Sequence, residues 1–113
     1  MRSRETSEPD PIPQPQAERG VVRASRKQER QLRKLRGRVH ELEAAIETTE
    51  EQIEALDWKT ADPRIARDGE KMRELRTART EQEQALTELY RDWERVSLEI
   101  EATEDGLRTG ADA

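Results

Sequence analysis

The sequence has no cysteine, no phenylalanine and a single tyrosine, and it has no apolar run long enough to span a membrane. Without cysteine the chain forms neither disulfides nor thiolate metal sites. A membrane-spanning helix needs about 20 mostly apolar residues. The N-terminal segment MRSRETSEPD also lacks the apolar stretch of a signal peptide. We therefore expect an unprocessed cytoplasmic protein with no membrane contact.

Apolar residues are scarce: 31% of the 113 residues are hydrophobic, against 42% that are charged. This composition allows one thin apolar seam but not the broad core that surrounds an enzyme pocket. Catalytic carboxylates need a desolvating cleft. His40 has only Glu43 or Glu47 at helical spacing, a weak signal for a metal site. We expect no enzymatic activity, no cofactor and no metal.

Prolines cluster near the N-terminus, where they alternate with other residues at Pro9, Pro11, Pro13 and Pro15. Proline fixes φ and lacks an amide donor, so this spacing opposes helix and favours an extended course. The pattern predicts a flexible, proline-containing basic linker over residues 1–24. A disordered C-terminus is predicted over residues 106–113.

Two apolar stripes with heptad spacing follow the linker, and each predicts one face of a helix. The first stripe is interrupted only by Thr49 and consists of Leu32, Leu35, Val39, Leu42, Ile46, Ile53 and Leu56. The second has Arg79 and Gln82 at two of its positions and otherwise consists of Met72, Leu75, Leu86, Leu89, Trp93, Val96 and Ile100. The stripes predict helices over about 25–57 and 69–105.

The segment between the stripes, residues 58–68, contains the signals of a chain reversal. Asp62 can cap a short helical turn that has Pro63 at its first position, and Asp68 can cap the second long helix. We therefore predict an all-α fold, an antiparallel two-stranded coiled-coil helical hairpin over residues 25–105.

Antiparallel helices pair heptad positions a and d at a constant sum of residue numbers, and a sum of 128 satisfies both stripes. This register places Val39 opposite Leu89 and Leu35 opposite Trp93. Its polar layers, Thr49 with Arg79 and Ile46 with Gln82, would form a soft spot about midway along the hairpin. It also predicts two flanking ion pairs, Arg38 with Asp92 and Glu50 with Arg76. The thin seam predicts a marginally stable hairpin, which gains stability from a partner or from weak self-association.

A basic run from Arg19 to Arg38 contains nine Lys or Arg residues and one Glu. Such a run can neutralise successive phosphates, and because no aromatic residue interleaves, the predicted contact is to the nucleic-acid backbone. The alternative is an electrostatic match to the acidic second helix, and the sequence leaves both open. The predicted nucleic-acid-binding residues are Arg19, Arg23, Arg26, Lys27, Arg30, Arg33 and Lys34.

Trp58 lies in the predicted bend, immediately after the last seam leucine. Because large aromatic side chains are mostly buried, we expect Trp58 to cap the end of the seam. The alternative is that the bend presents it to a partner. In that case the predicted contact residues are Trp58, Lys59, Arg64 and Arg67.

Three segments resemble the C-terminal coiled-coil domain of ABC-F ATPases, especially of the Uup type. They are SRKQERQLRKLRGRVHELEAAIETTEEQIEAL at 25–56, the bend ADPRIARDGEKMREL at 61–75, and LTELYRDWERVSLEIE at 86–101. A proline-containing basic linker is also usual in that family. The spacing from the bend to Trp93 is the most specific part of the likeness.

The resemblance implies an accessory arm that follows two nucleotide-binding domains and engages DNA, or ribosomal RNA in members that act on the ribosome. This chain differs because it has no GxxxxGK phosphate loop. The resemblance implies ABC ATPase domains as partners, in cis if the chain is a fragment of a longer ATPase and in trans if it is a stand-alone relative. The functional prediction is a non-catalytic nucleic-acid-binding arm, and the alternative is a structural, protein-binding or self-associating coiled coil.

Overall fold

The computed structural model describes residues 16–112, and the side-chain surroundings of residues 23–109. Three helices follow one another along the chain: α1 (Gln16–Thr60), α2 (Pro63–Ala66) and α3 (Gly69–Asp112). The helices α1 and α3 pack side by side in opposite directions. No strand occurs in the described range. The predicted fold class, an all-α antiparallel helical hairpin, is confirmed.

The bend is built as its sequence indicates. The Asp62 carboxylate accepts a hydrogen bond from the backbone amide of Arg64 at 2.9 Å and so caps α2. Pro63 occupies the first turn of α2, where its missing amide donor costs nothing. Asp68 accepts from the backbone amide of Lys71 at 3.1 Å and caps α3. These two caps satisfy backbone amides that the helix starts leave without partners.

At its N-terminal end, α1 begins at Gln16, inside the segment 1–24 that was predicted to be a linker. The linker prediction was wrong for the part of this segment that α1 occupies. Beyond Pro15 no residue prevents backbone hydrogen bonding, and Gly20 costs a helix only about 1 kcal/mol. The alternating prolines themselves lie in residues 1–15, outside the described part of the chain.

At the other end, α3 continues to Asp112 and not to the predicted end at residue 105. The prediction of disorder from residue 106 is wrong for the residues that α3 includes. Gly106 lies close to α1, since a Cβ atom at this position would be 3.1 Å from the side-chain nitrogen of Gln28. Contact with α1 therefore supports the last turns of α3 against the low helix propensity of glycine.

The predicted register of the two long helices was wrong. The bond between Glu43 and Trp93 joins residues whose numbers sum to 136, and the bond between Glu50 and Tyr90 joins residues whose numbers sum to 140. A sum of 128 would separate these partners by more than two helical turns. Shifting α3 by one heptad restores the pairing of a with d positions and fits both bonds.

This shift has a structural cause in the bend. The short α2 contacts both long helices, and its Ile65 is half-buried. With α2 packed at the end of α1, the first turns of α3 extend past the end of α1. The new register aligns Leu42 with Trp93 and Ile46 with Leu89.

Packing along the seam is uneven. The buried apolar side chains lie away from the bend, mostly about the middle of the hairpin; they are Leu32, Leu42, Ile46 and Val96. Thr49 is buried beside them and donates its hydroxyl to the carbonyl oxygen of Ala45 at 2.8 Å. The seam residues nearer the bend are only half-buried. The shifted register moves the polar residues Arg79 and Gln82 into this looser region beside the bend, so the soft spot is not midway as predicted.

Candidate functional site

The predicted nucleic-acid-binding residues lie on the side of α1 that faces away from α3. Their spacing of three and four residues puts them at the outer heptad positions b, c and f. Six of these side chains are exposed, and we call this set the basic face: Arg23, Arg26, Lys27, Arg30, Arg33 and Lys34. The backbone of Arg19 is part of α1, but its side chain lies outside the described surroundings.

The ion pairs of the basic run involve its flanking members. Arg36 lies next to the seam and bonds Glu104 of α3 at 2.7 Å. Arg38 lies 3.5 Å from Glu41, one turn further along α1, and not near Asp92 as predicted. Within the described side chains, no member of the basic face forms an ion pair. The electrostatic match to α3 therefore uses Arg36 and leaves the basic face available.

The outer face of α1 changes sign along its length. Past Gly37 its charged positions are mainly acidic, and the exposed side chains Glu41, Glu47, Glu51 and Glu54 form what we call the acidic half. A Cβ atom at Gly37 would meet nothing within 4 Å, so the boundary between the two parts is open. Sequence analysis did not single out these four acids as sharing the face of the basic run, although their heptad positions b, c and f indicate it.

Trp58 does not cap the seam, and that expectation was wrong. Its side chain is 72% exposed. It occupies an outer heptad position of the last α1 turn, two residues after the seam residue Leu56, so the helix directs it away from α3. The bend therefore presents a large aromatic surface to solvent.

The three cations predicted to surround Trp58, which are Lys59, Arg64 and Arg67, are all exposed. The same bend also contains the carboxylates of Asp62 and Asp68. The side chain of Arg64 is 89% exposed and bonds Asp62 at 3.2 Å. This hydrogen bond and one from the Arg64 backbone amide lower the pKa of Asp62. Lys59 lies in the last turn of α1, and Arg67 ends α2. The bend thus combines an exposed aromatic ring with nearly balanced charge.

Among the described side chains, four residue pairs connect the long helices by hydrogen bonds, and their α1 members recur every seven residues at Arg36, Glu43, Glu50 and Asp57. This is heptad position e, which borders the seam. Trp93, predicted in the seam, is half-buried and donates its indole N–H to Glu43 at 3.1 Å. The Tyr90 hydroxyl donates to Glu50 at 2.9 Å, and this bond raises the pKa of Tyr90.

Arg79 occupies a seam position but directs its guanidinium outward. Its Nε donates to Asp57 at 2.7 Å, and another nitrogen donates to Glu83 at 2.5 Å. Both bonds raise the pKa of Arg79. The bond between Arg79 and Asp57 also lowers the pKa of Asp57. Arg79 therefore ties the last turn of α1 to α3 where apolar packing is loosest.

Two further properties concern the described residues alone. The described residues contain no group of three or more His, Asp or Glu side chains arranged to hold a metal ion. In this same range, neither long helix has a stretch apolar enough to cross a membrane.

Comparison of the chain with protein-family models, with curated proteins and with solved structures found no match. The class to which the chain belongs is therefore defined by its own architecture. It is an antiparallel helical hairpin with a divided outer face on α1.

Proposed function

We propose that the chain is a non-catalytic arm that binds the nucleic-acid backbone through the basic face. The observation that carries this proposal is the row of exposed cations on one side of α1, without carboxylate partners among the described side chains. Cations held one helical turn apart neutralise phosphates and release condensed counterions. Such contacts position a protein on a strand without reading its bases.

The dimensions of the basic face suit a short stretch of backbone. From Arg23 to Lys34 the helix rises about 16 Å at 1.5 Å per residue. Along a DNA strand the phosphates advance roughly 3.4 Å per nucleotide, so this length passes about five phosphates. Lys and Arg side chains are long enough to adapt to the exact path of the strand.

The family resemblance supports the same proposal. An accessory arm of the ABC-F type would act with ABC ATPase domains, in cis or in trans, on DNA or on ribosomal RNA in the cytoplasm. The hairpin fold and its capped Asp-Pro bend are compatible with such an arm.

The test is binding of the full chain to a labelled DNA duplex and to a ribosomal RNA hairpin, measured by fluorescence anisotropy. About five phosphate contacts predict that affinity falls roughly 500-fold between about 50 and 200 mM salt. The variant Arg26→Glu, Lys27→Glu, Arg30→Glu, Arg33→Glu should abolish binding to both probes, because it makes the outer face repel phosphates.

A matched control reverses four exposed cations of α3 in the variant Arg73→Glu, Arg76→Glu, Arg91→Glu, Arg95→Glu. It changes the net charge of the chain equally and should retain most of the affinity. Equal loss in both variants would show that net charge, and not the basic face, governs binding. Undiminished binding in the basic-face variant would remove the proposal.

A second candidate function, contact with a protein partner at the bend, is favoured by the exposure of Trp58. Exposed tryptophans often dominate the binding energy of interfaces. Replacement of Trp58 by Ala should weaken such a contact without affecting nucleic-acid binding, and a partner that binds both forms equally would exclude this role.

A further inference from the structure

The outer face of α1 has a charge pattern that is complementary to itself when reversed. Cations occupy the half before Gly37 and carboxylates the half after it. Among the described side chains only Glu41 of the acidic half has an ion-pair partner, Arg38 at 3.5 Å. A helix face of this kind fits a second copy of itself that runs in the opposite direction.

We propose that two copies of this chain associate through the outer faces of their α1 helices, antiparallel, about a two-fold axis near Gly37. Opposite residues then lie at equal distances from Gly37. Three cations on one side of the axis then meet carboxylates of the other copy, in the pairs Arg33 with Glu41, Lys27 with Glu47 and Arg23 with Glu51. The other three cations of the basic face lie opposite His40, Ala44 and Thr48. The symmetry forms each pair twice.

The centre of this face carries no side chain at the proposed two-fold axis. Gly37 has open space where a side chain would lie. Ala44, one heptad further along, is exposed and small. Only the axis itself lacks a side chain, and the innermost pair, Arg33 with Glu41, flanks it on both sides.

A second copy fits the whole outer face better than a polyanion does. A nucleic acid complements the basic face but is repelled by the acidic half, and a second copy complements both. The contact contains few apolar groups, so the association should be weak and sensitive to salt. It would also cover the basic face, so self-association and backbone binding would exclude each other.

The test is sedimentation of the full chain without nucleic acid, over a range of concentrations up to about millimolar, the range where few-contact interfaces associate. The wild-type chain should form dimers at low salt. Raising the salt from about 50 to about 500 mM should weaken the dimer at least tenfold, because charge attraction between exposed groups is screened.

Two charge-reversal variants separate the halves of the face. Glu41→Lys, Glu47→Lys, Glu51→Lys makes the paired positions of the acidic half basic, and Arg23→Glu, Lys27→Glu, Arg33→Glu makes the paired positions of the basic face acidic. Each variant alone should associate at least tenfold more weakly than the wild type. An equimolar mixture should restore association as a heterodimer. Circular dichroism checks that both variants remain helical.

A matched control, Glu74→Lys, Glu81→Lys, Glu88→Lys, changes three exposed carboxylates of α3 and should dimerise like the wild type. A wild-type chain that stays monomeric at low salt would overturn the proposal, as would reversal variants that dimerise alone as well as the wild type. The Glu→Lys variant of α1 retains the basic face, so its nucleic-acid binding tests the proposed function separately.

Discussion

At the residue scale, the bonds between the helices come from one repeating heptad position of α1. Glu43, Glu50 and Asp57 each accept a hydrogen bond from α3, from Trp93, Tyr90 and Arg79 respectively. Exposed bonds of this kind add little stability individually. Each of these bonds joins two particular residues, so it forms in only one register of the helices. The bonds therefore distinguish that register from others in which the apolar seam would pair equally well.

Tyr90 offers a direct probe of this discrimination because it is the only tyrosine of the chain. Its bond to Glu50 raises its pKa above the ordinary value of 10.0. Ultraviolet titration should therefore show phenolate formation at higher pH than in a free tyrosine, and Glu50→Gln should lower this pKa. Unchanged titration in the Glu50→Gln variant would mean that the two side chains do not meet.

The sign of the linked stability follows from the raised pKa of Tyr90. The unfolded chain releases the phenolic proton first as pH rises. The bond therefore contributes stability that is fully present below about pH 10, and that is lost as pH rises through the folded pKa. For Asp57 the sign is opposite: its lowered pKa gives stability above about pH 4 that is lost as pH falls.

At the element scale, the seam is tightly packed about the middle of the hairpin and loosely packed beside the bend. Leu42 is only 2% exposed, whereas Leu56 is half-buried in the half that contains Arg79 and Gln82. Local opening should therefore start at the bend end of the hairpin. The bond between Asp57 and Arg79 holds this end together with few apolar contacts.

Alanine substitutions should show this gradient. Leu42→Ala should cost about 2–5 kcal/mol of unfolding free energy, as for other buried leucines, and Leu56→Ala clearly less. Leu98→Ala is the control, because a side chain that is 60% exposed should matter by less than about 0.5 kcal/mol. Urea unfolding followed by circular dichroism measures all three, and a larger loss for Leu56→Ala than for Leu42→Ala would contradict the gradient.

The elements were predictable from sequence because apolar spacing and caps are local signals. The stripes through Leu42 and Trp93, and the caps Asp62 and Asp68, needed no knowledge of the partner helix. The register was not predictable, because a heptad repeat pairs a with d again after every shift of seven residues. The packing of α2 at the bend decides between these shifts, and it is a tertiary effect.

The candidate site also has a part that the sequence predicts correctly and a part that it does not. The exposure of the basic face followed from its b, c and f positions, which the heptad repeat assigns. Trp58 occupies an equally outer position, but the general tendency of tryptophan to be buried outweighed that signal in the prediction. For residues beside a seam, the heptad position was therefore the better guide to exposure than residue type.

At the scale of the whole molecule, the hairpin separates its surfaces along a single rod. From Arg30 to Trp58 the helix rises about 42 Å, with the acidic half between them. A partner on the basic face and a partner at the bend therefore contact different ends of α1. Self-association through the outer face would leave Trp58 near each end of the assembly.

All of these surfaces depend on a chain that folds back on itself with α3 shifted one heptad from the simplest pairing. Engineered disulfides test this directly, because the chain has no cysteine of its own. A disulfide needs Cα atoms closer than about 7 Å. The shifted register aligns Val39 with Val96, and it places Leu89 roughly 10 Å further along the seam, at 1.5 Å per residue.

The decisive measurement is therefore mild oxidation of two double variants at low concentration. With α3 shifted by one heptad, the disulfide of Val39→Cys, Val96→Cys should close rapidly within one chain, whereas that of Val39→Cys, Leu89→Cys should not. Closure of the second pair in preference to the first would contradict the register. Closure of neither pair within a chain would contradict the hairpin.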